Sequence, residues 1–191
     1  ATHVGNYALF GGGYGGGNDY SNTVDAYNTS LVRTTPTVLS RKRYLMVATH
    51  VGNYALFGGG SSVTAYSNVV DAYDTSLVRT TPTPLSIGRQ DHAATHIGNY
   101  ALFGGGNGSG VNNIDVVEAY DTSLVRTTPT VLSQGRYELS ATHVGNYALF
   151  GGGKSNFYSA VVDAYDTSLV RTTPTVLSKN RTRLAATHID N

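Results

Sequence analysis

Residues 93–106 read AATHIGNYALFGGG, and the stretch spells a β-hairpin. Gly98 and Asn99 both tolerate positive φ, so they predict a tight two-residue turn. The strand before the turn runs through RQDHAATHI (89–97), and the strand after it is Tyr100-Ala101-Leu102-Phe103, stopped by Gly104-Gly105-Gly106. Side chains alternate across a strand, so Tyr100 and Leu102 share one face and Ala101 and Phe103 the other. Both faces are apolar, which calls for cover on both sides. Beyond the glycines, a loop leads to a third strand, VVEAY (116–120). Asp121-Thr122-Ser123 turns the chain, with side chains able to bond their own backbone. A fourth strand is expected over VRTTPTVL (125–132), on the outer edge because Pro129 has no N–H to give a ladder.

The hairpin recurs at 47–60 and 140–153, and fragments of it stand at Ala1–Val4 and Ala186–Ile189. The histidine of its ATH triplet falls at 3, 50, 96, 143 and 188, at spacings of 47, 46, 47 and 45. Such a period marks a solenoid, a propeller or an array. Glycine triplets and Thr-Thr-Pro segments in every unit exclude helical repeats. Residues 40–50 alone read as a short helix, but their equivalents carry Gly88 and Gly135. The expected fold is all-β: four repeats of about 47 residues, each a four-stranded antiparallel blade, packed in series as a β-propeller. One domain spans 1–191, with units near 1–40, 41–86, 87–133 and 134–178 and a closing strand at 179–191.

The chain has 191 residues, 40% apolar and only 13% charged, about half the usual charged share. A net charge of +1 gives no footprint for nucleic acid or an anionic membrane, and neither is expected as a partner. With no cysteine there is no disulfide, thiolate metal site or cysteine nucleophile. The longest apolar runs, as at Tyr44–Ala48, fall far short of a membrane-spanning helix.

The repeat resembles the kelch family of four-stranded blades. The match rests on the glycine runs (11–13, 58–60, 104–106, 151–153) and the Tyr73-Asp74, Tyr120-Asp121 and Tyr165-Asp166 pairs, with Tyr27-Asn28 in the first unit. Arg43, Arg89, Arg136 and Arg181 before strand one complete it. The likeness covers the whole chain, but kelch repeats carry a tryptophan at strand four, where this chain has Leu-Val-Arg. The resemblance implies a propeller whose top loops form a ligand surface.

The first unit holds only a stub of strand one, while 181–189 supplies a spare copy. An unpaired edge invites pairing. The expectation is that 181–189 enters the sheet formed near 7–38. It would do so either in the same chain, closing four blades, or in a second chain, giving a homodimer of eight blades.

Compared with one another, the repeats keep the HVGNY and DTSLVRTTPT turns almost constant. They vary at the start of strand one (43–47, 89–93, 136–140, 181–185) and in the loop after the glycines (14–24, 61–70, 107–117, 154–162). Antiparallel order puts both variable segments on one side of the ring. Exposed loops drift freely, yet the equally exposed bottom turns have not drifted, which favours a binding face on top. Its expected residues are Tyr14, Tyr20, Tyr44, Tyr66, Gln90, Asp91, Asn107, Asn112, Tyr137, Glu138, Lys154, Phe157, Tyr158 and Arg183, together with Asn18 and Asp19. Rigid aromatics among amides and charges suit a glycan or a polar protein epitope.

Catalysis, cofactors and metals are not expected. The repeated histidines are expected to face neighbouring blades and not a central channel. Asp25, Asp71, Glu118 and Asp163 recur once per unit, which marks them as scaffold paired with a repeated arginine. Asp91 and His92 are adjacent in an expected strand, so they would point to opposite faces. Gly11, Gly13 and Gly16 have a phosphate-loop spacing, but no helix follows. Asn28, Asn107 and Asn180 head N-x-S/T triplets, frequent by chance in a chain this rich in Asn, Ser and Thr.

Overall fold

The computed structural model describes residues 1–17 and 19–188; Asn18 and residues 189–191 lie outside the described residues. Among the described residues every regular element is a β-strand. The first sheet holds β1 (Thr2–Val4), β2 (Tyr7–Tyr14), β3 (Tyr20–Asn28) and β4 (Arg33–Thr34). The second holds β5 (Val47–Val51), β6 (Tyr54–Gly58), β7 (Val70–Asp74) and β8 (Arg79–Thr80). In the third, β10 (Ala93–Ile97), β11 (Tyr100–Gly104), β13 (Val117–Asp121) and β14 (Arg126–Thr127) lie side by side. The fourth holds β15 (Ser140–Val144), β16 (Tyr147–Gly151), β17 (Val162–Asp166) and β18 (Arg171–Thr172). A two-stranded ribbon pairs β9 (Arg89–Gln90) with β12 (Asn107–Gly108). All pairings are antiparallel, and each four-stranded sheet keeps chain order.

Local chemistry accounts for the turns. Ile97 pairs with Tyr100 across the Gly98-Asn99 turn, where Gly98 takes φ +52. At the opposite corner the Asp121 carboxylate accepts N–H bonds from Ser123 (2.8 Å) and Val125 (2.9 Å). Asn28, Asp74 and Asp166 do the same in their own units. Strand four is much shorter than 125–132: the ladder ends at Thr127, two residues before Pro129. The remainder becomes a link, in which the Ser133 N–H reaches Asp163 Oδ1 of the next sheet at 3.0 Å. Strand one is likewise interrupted, because Asp91 adopts φ +53 between Gln90 and Ala93. Asp91 and His92 therefore lie outside regular strand, and the alternation expected of them does not apply.

Three apolar clusters hold consecutive sheets together. Leu9, Val24, Ala26 and Leu39 pack on Ala55, Phe57 and Tyr73. Leu56, Val70, Ala72 and Leu85 pack on Ala101, Phe103 and Tyr120. Leu102, Val117, Ala119 and Leu132 pack on Ala148, Phe150 and Tyr165. Each phenylalanine lies over a glycine of the preceding sheet. A Cβ on Gly11 would stand 3.0 Å from the Phe57 ring, one on Gly58 2.6 Å from Phe103, and one on Gly104 2.8 Å from Phe150. Gly11, Gly58 and Gly104 are thus needed for the close approach of the next sheet.

Each junction also buries an ion pair, as the recurring acids suggested. Arg43 meets Asp71 at 2.6 Å and Arg136 meets Asp163 at 2.7 Å, and Arg89 pairs with Glu118; all six side chains are fully enclosed. Burial pulls the arginines below their usual pKa, and the acids oppose it. The Tyr73, Tyr120 and Tyr165 hydroxyls donate to the carbonyls of Thr37, Thr83 and Thr130 in the preceding unit, at 2.7–2.8 Å.

Two expectations need correction. Residues 181–188 join no sheet, so the C-terminal copy of strand one does not enter the first sheet of the same chain; residue 189 lies outside the described residues. The inner neighbour of β2 is already β1. The Gly153 N–H holds the segment beside the fourth sheet through the Arg181 carbonyl at 2.9 Å. The histidines do not project only between blades. His3, His50, His96, His143 and His188 stack in succession at centroid spacings of 4.1, 3.9, 4.2 and 4.6 Å. All five ATH triplets line one space of about 330 Å³, so the inner strands curve round a shared centre. Enclosure, reinforced by the neighbouring imidazoles, pushes the His50 pKa down to about 4.

Candidate functional site

In the second, third and fourth units the two variable segments meet. Tyr44 bridges to Ser61, and Ser61 to Tyr66. Gln90 pairs with Asn107 in the short ribbon. Tyr137 bridges to Lys154, and Lys154 to Tyr158. In the first sheet Tyr14 stands opposite Tyr20, and the rings of Tyr14, Tyr20 and Tyr44 form a triangle with centroids 5.1–5.7 Å apart. Residues 17 apart in the sequence (Tyr44 and Ser61, Gln90 and Asn107, Tyr137 and Lys154) thus pair through the backbone, building one patch in each of these three units.

Between these patches lies a cleft of about 560 Å³, lined by residues that include Leu45, Gln90, Asp91, His92, Glu138 and Arg183. Leu45, Asp91, Glu138 and Arg183 hold equivalent positions in successive units. All four adopt a left-handed backbone, at φ +53, +53, +53 and +54. This conformation costs a non-glycine residue about 1 kcal/mol or more and persists only where its surroundings impose it. For Asp91, Glu138 and Arg183, backbone bonds between units do so. The Glu138 N–H donates to the Asp91 carbonyl at 2.7 Å, and the Arg183 N–H to the Glu138 carbonyl at 3.0 Å. One strained geometry therefore presents an aliphatic residue, two acids of different length and a guanidinium around one opening.

The polar groups are pre-arranged. Glu138 accepts from Arg183 Nη2 at 2.6 Å, Lys154 Nζ at 3.2 Å and Thr182 Oγ1 at 3.0 Å. Burial alone would raise its pKa, but these donors outweigh burial and leave it below the usual carboxylate value. Lys154 also sits 4.9 Å from the Tyr137 ring centroid, a cation–π contact. The Gln90 amide donates to Asp91 Oδ2 at 2.9 Å. His92 is enclosed on the cleft wall, its ring nitrogens shielded from solvent. Burial holds it neutral, with its pKa well below the usual value.

No family model and no curated protein matches the chain. The functional reading therefore rests on the geometry of this face.

Of the residues expected from sequence, Gln90, Asp91, Glu138 and Arg183 come together at the cleft. Tyr137 and Lys154 adjoin it through Glu138. Tyr14, Tyr20 and Tyr44 form their own aromatic patch. Asn107 is placed through its pairing with Gln90. Tyr66, Asn112, Phe157 and Tyr158 lie outside the cleft lining, Phe157 with 83% of its surface exposed. Asp19 is exposed, and Asn18 lies outside the described residues. Sequence reasoning missed Leu45, Met46, Val47, His92 and Leu139, which complete the lining. Aligning the repeats puts Leu45 in register with Asp91 and Glu138, a signal hidden by attention to aromatic and polar residues.

Proposed function

We propose that the chain is an arc of a kelch-like β-propeller that acts as a non-catalytic recognition module, binding a glycan or a polar protein epitope through its variable loop face. The observation that carries this reading is the repeated left-handed position: four units hold one backbone geometry and vary only the side chain, as Leu45, Asp91, Glu138 and Arg183. The constant turns keep one unchanging left-handed leucine per unit, Leu31, Leu77, Leu124 and Leu169, whereas at this position the residue changes from unit to unit. Strain retained with changing chemistry is the pattern of a binding surface. The adjoining tyrosine triangle offers stacking area at low entropic cost.

The test applies labelled chain to a glycan array and a protein array, alongside Leu45→Gly and Asp91→Gly variants. Glycine removes each side chain and eases the backbone, so both variants keep or slightly raise the melting temperature while losing the bound targets. Failure to bind either array, or binding undiminished in both variants, rejects the proposal in favour of a structural spacer.

A further inference from the structure

The first and fourth sheets carry opposite halves of the junction that the chain builds three times internally. In the second, third and fourth sheets, Ala55, Phe57, Asp71 and Tyr73 and their counterparts are buried under the preceding sheet. The same positions in the first sheet, Ala8, Phe10, Asp25 and Tyr27, instead line an open groove of about 520 Å³ with Leu31. Phe10 is 54% exposed, while Phe57, Phe103 and Phe150 are at most 1% exposed. The fourth sheet has the complementary lack. Gly151 occupies the place of Gly11, Gly58 and Gly104, but a Cβ there would meet only Val162 at 3.7 Å and Leu177 at 3.9 Å, with no aromatic ring above it.

The charges match in the same way. Among the described residues, Asp25 has no buried arginine and pairs at the surface with Arg33, at 3.5 Å. Arg181 is the fourth copy of Arg43, Arg89 and Arg136, yet it is exposed. The Thr175 carbonyl occupies the position of Thr37, Thr83 and Thr130, the acceptors for the junction tyrosines.

We infer that a second copy of this chain docks head to tail, the first sheet of one copy against the fourth sheet of the other. In this junction Phe10 covers the partner's Gly151, Asp25 pairs with the partner's Arg181, and Tyr27 donates to the partner's Thr175 carbonyl. Each contact copies one seen at three internal junctions, so the surfaces are already shaped for it. Such an interface is heterologous: the same surfaces close a two-chain ring if the rotation closes, and extend head to tail if it does not. The inference stands on the internal junctions and is independent of what the loop face binds.

Light scattering after size exclusion, over a concentration series, reads the association directly. Expected is growth from the 20.2 kDa chain to about twice that mass or to higher head-to-tail multiples. Gly151→Val fills the socket while its first added carbon meets only ordinary contacts, so it should leave the melt unchanged and weaken association about tenfold or more. Asp25→Arg alone and Arg181→Asp alone should each weaken association, and the two changes together in one chain should restore it. A chain that stays at 20.2 kDa throughout overturns the inference, as does association indifferent to Gly151→Val and to the charge swap.

Discussion

The Arg43–Asp71 pair at the first internal junction allows a demanding test of how the sheets are joined. Both side chains are fully buried, with Arg43 Nη2 2.6 Å from Asp71 Oδ2. Asp71 also accepts from the Ser40 N–H at 3.2 Å and its hydroxyl at 3.1 Å. Arg43 further donates to the carbonyls of Gly59 (3.0 Å), Val69 (2.6 Å) and Phe57 (3.2 Å). Asp71→Asn leaves a buried guanidinium without its counter-charge, which costs about 3–5 kcal/mol. Arg43→Met leaves a buried carboxylate and three carbonyls without their donor, so it should cost at least as much. The double variant Arg43→Met/Asp71→Leu removes both charges and retains unpaired carbonyls. It should cost less than the sum of the single changes by about 2 kcal/mol or more. The chain has 14 tyrosines and no tryptophan, so urea unfolding is followed by tyrosine fluorescence and far-UV circular dichroism. For a typical urea slope, Asp71→Asn lowers the midpoint by about 1–3 M. Additive losses, or a loss under 1 kcal/mol from Asp71→Asn, would refute the view that the pair acts as one buried unit.

Gly104→Ala puts a methyl 2.8 Å from the Phe150 ring and should destabilise by about 1–3 kcal/mol, measured by urea unfolding; a neutral result would show that the ring yields freely. Stability should fall on acidification. The His50 pKa is lowered to about 4 from an unfolded value near 6.5, so its contribution is complete above pH 6.5 and is lost as pH falls towards 4. The full shift corresponds to about 3 kcal/mol, which partial exposure reduces to about 1–2 kcal/mol; His50→Gln should flatten that part of the pH–stability curve. The enclosed His92, also lowered, acts in the same direction. Asp121→Ala removes the one oxygen that accepts from two N–H groups at an exposed turn and should cost about 1–2 kcal/mol, with faster amide exchange at Ser123 and Val125 as the local readout.

Much of this protein is legible from single repeats, because its strands and turns are governed by short-range chemistry. Gly98-Asn99 specifies a two-residue hairpin, Asp121 caps its own corner, and apolar side chains on both faces of Tyr100–Phe103 demand neighbours on both sides. The pairing of the recurrent acids with arginines was likewise legible, since one charge of each sign recurs per unit and burial tolerates neither alone. The four expected residues that the cleft brings together, Gln90, Asp91, Glu138 and Arg183, came from comparing repeats within one chain.

Tertiary structure decided the rest, and each case turns on contacts between residues far apart in the chain. The left-handed backbone at Leu45, Asp91, Glu138 and Arg183 is invisible in sequence because none is glycine; Asp91, Glu138 and Arg183 are tied together by backbone hydrogen bonds between neighbouring units. The histidines stack round a shared centre because the inner strands curve together, which a single repeat does not encode. Phe10 and Phe57 occupy the same place in the same motif, yet one is half exposed and the other buried. Only the presence of a sheet above Phe57 distinguishes them. Repeated sequence determined the unit, while the packing of one unit on the next determined which copies are core and which are surface.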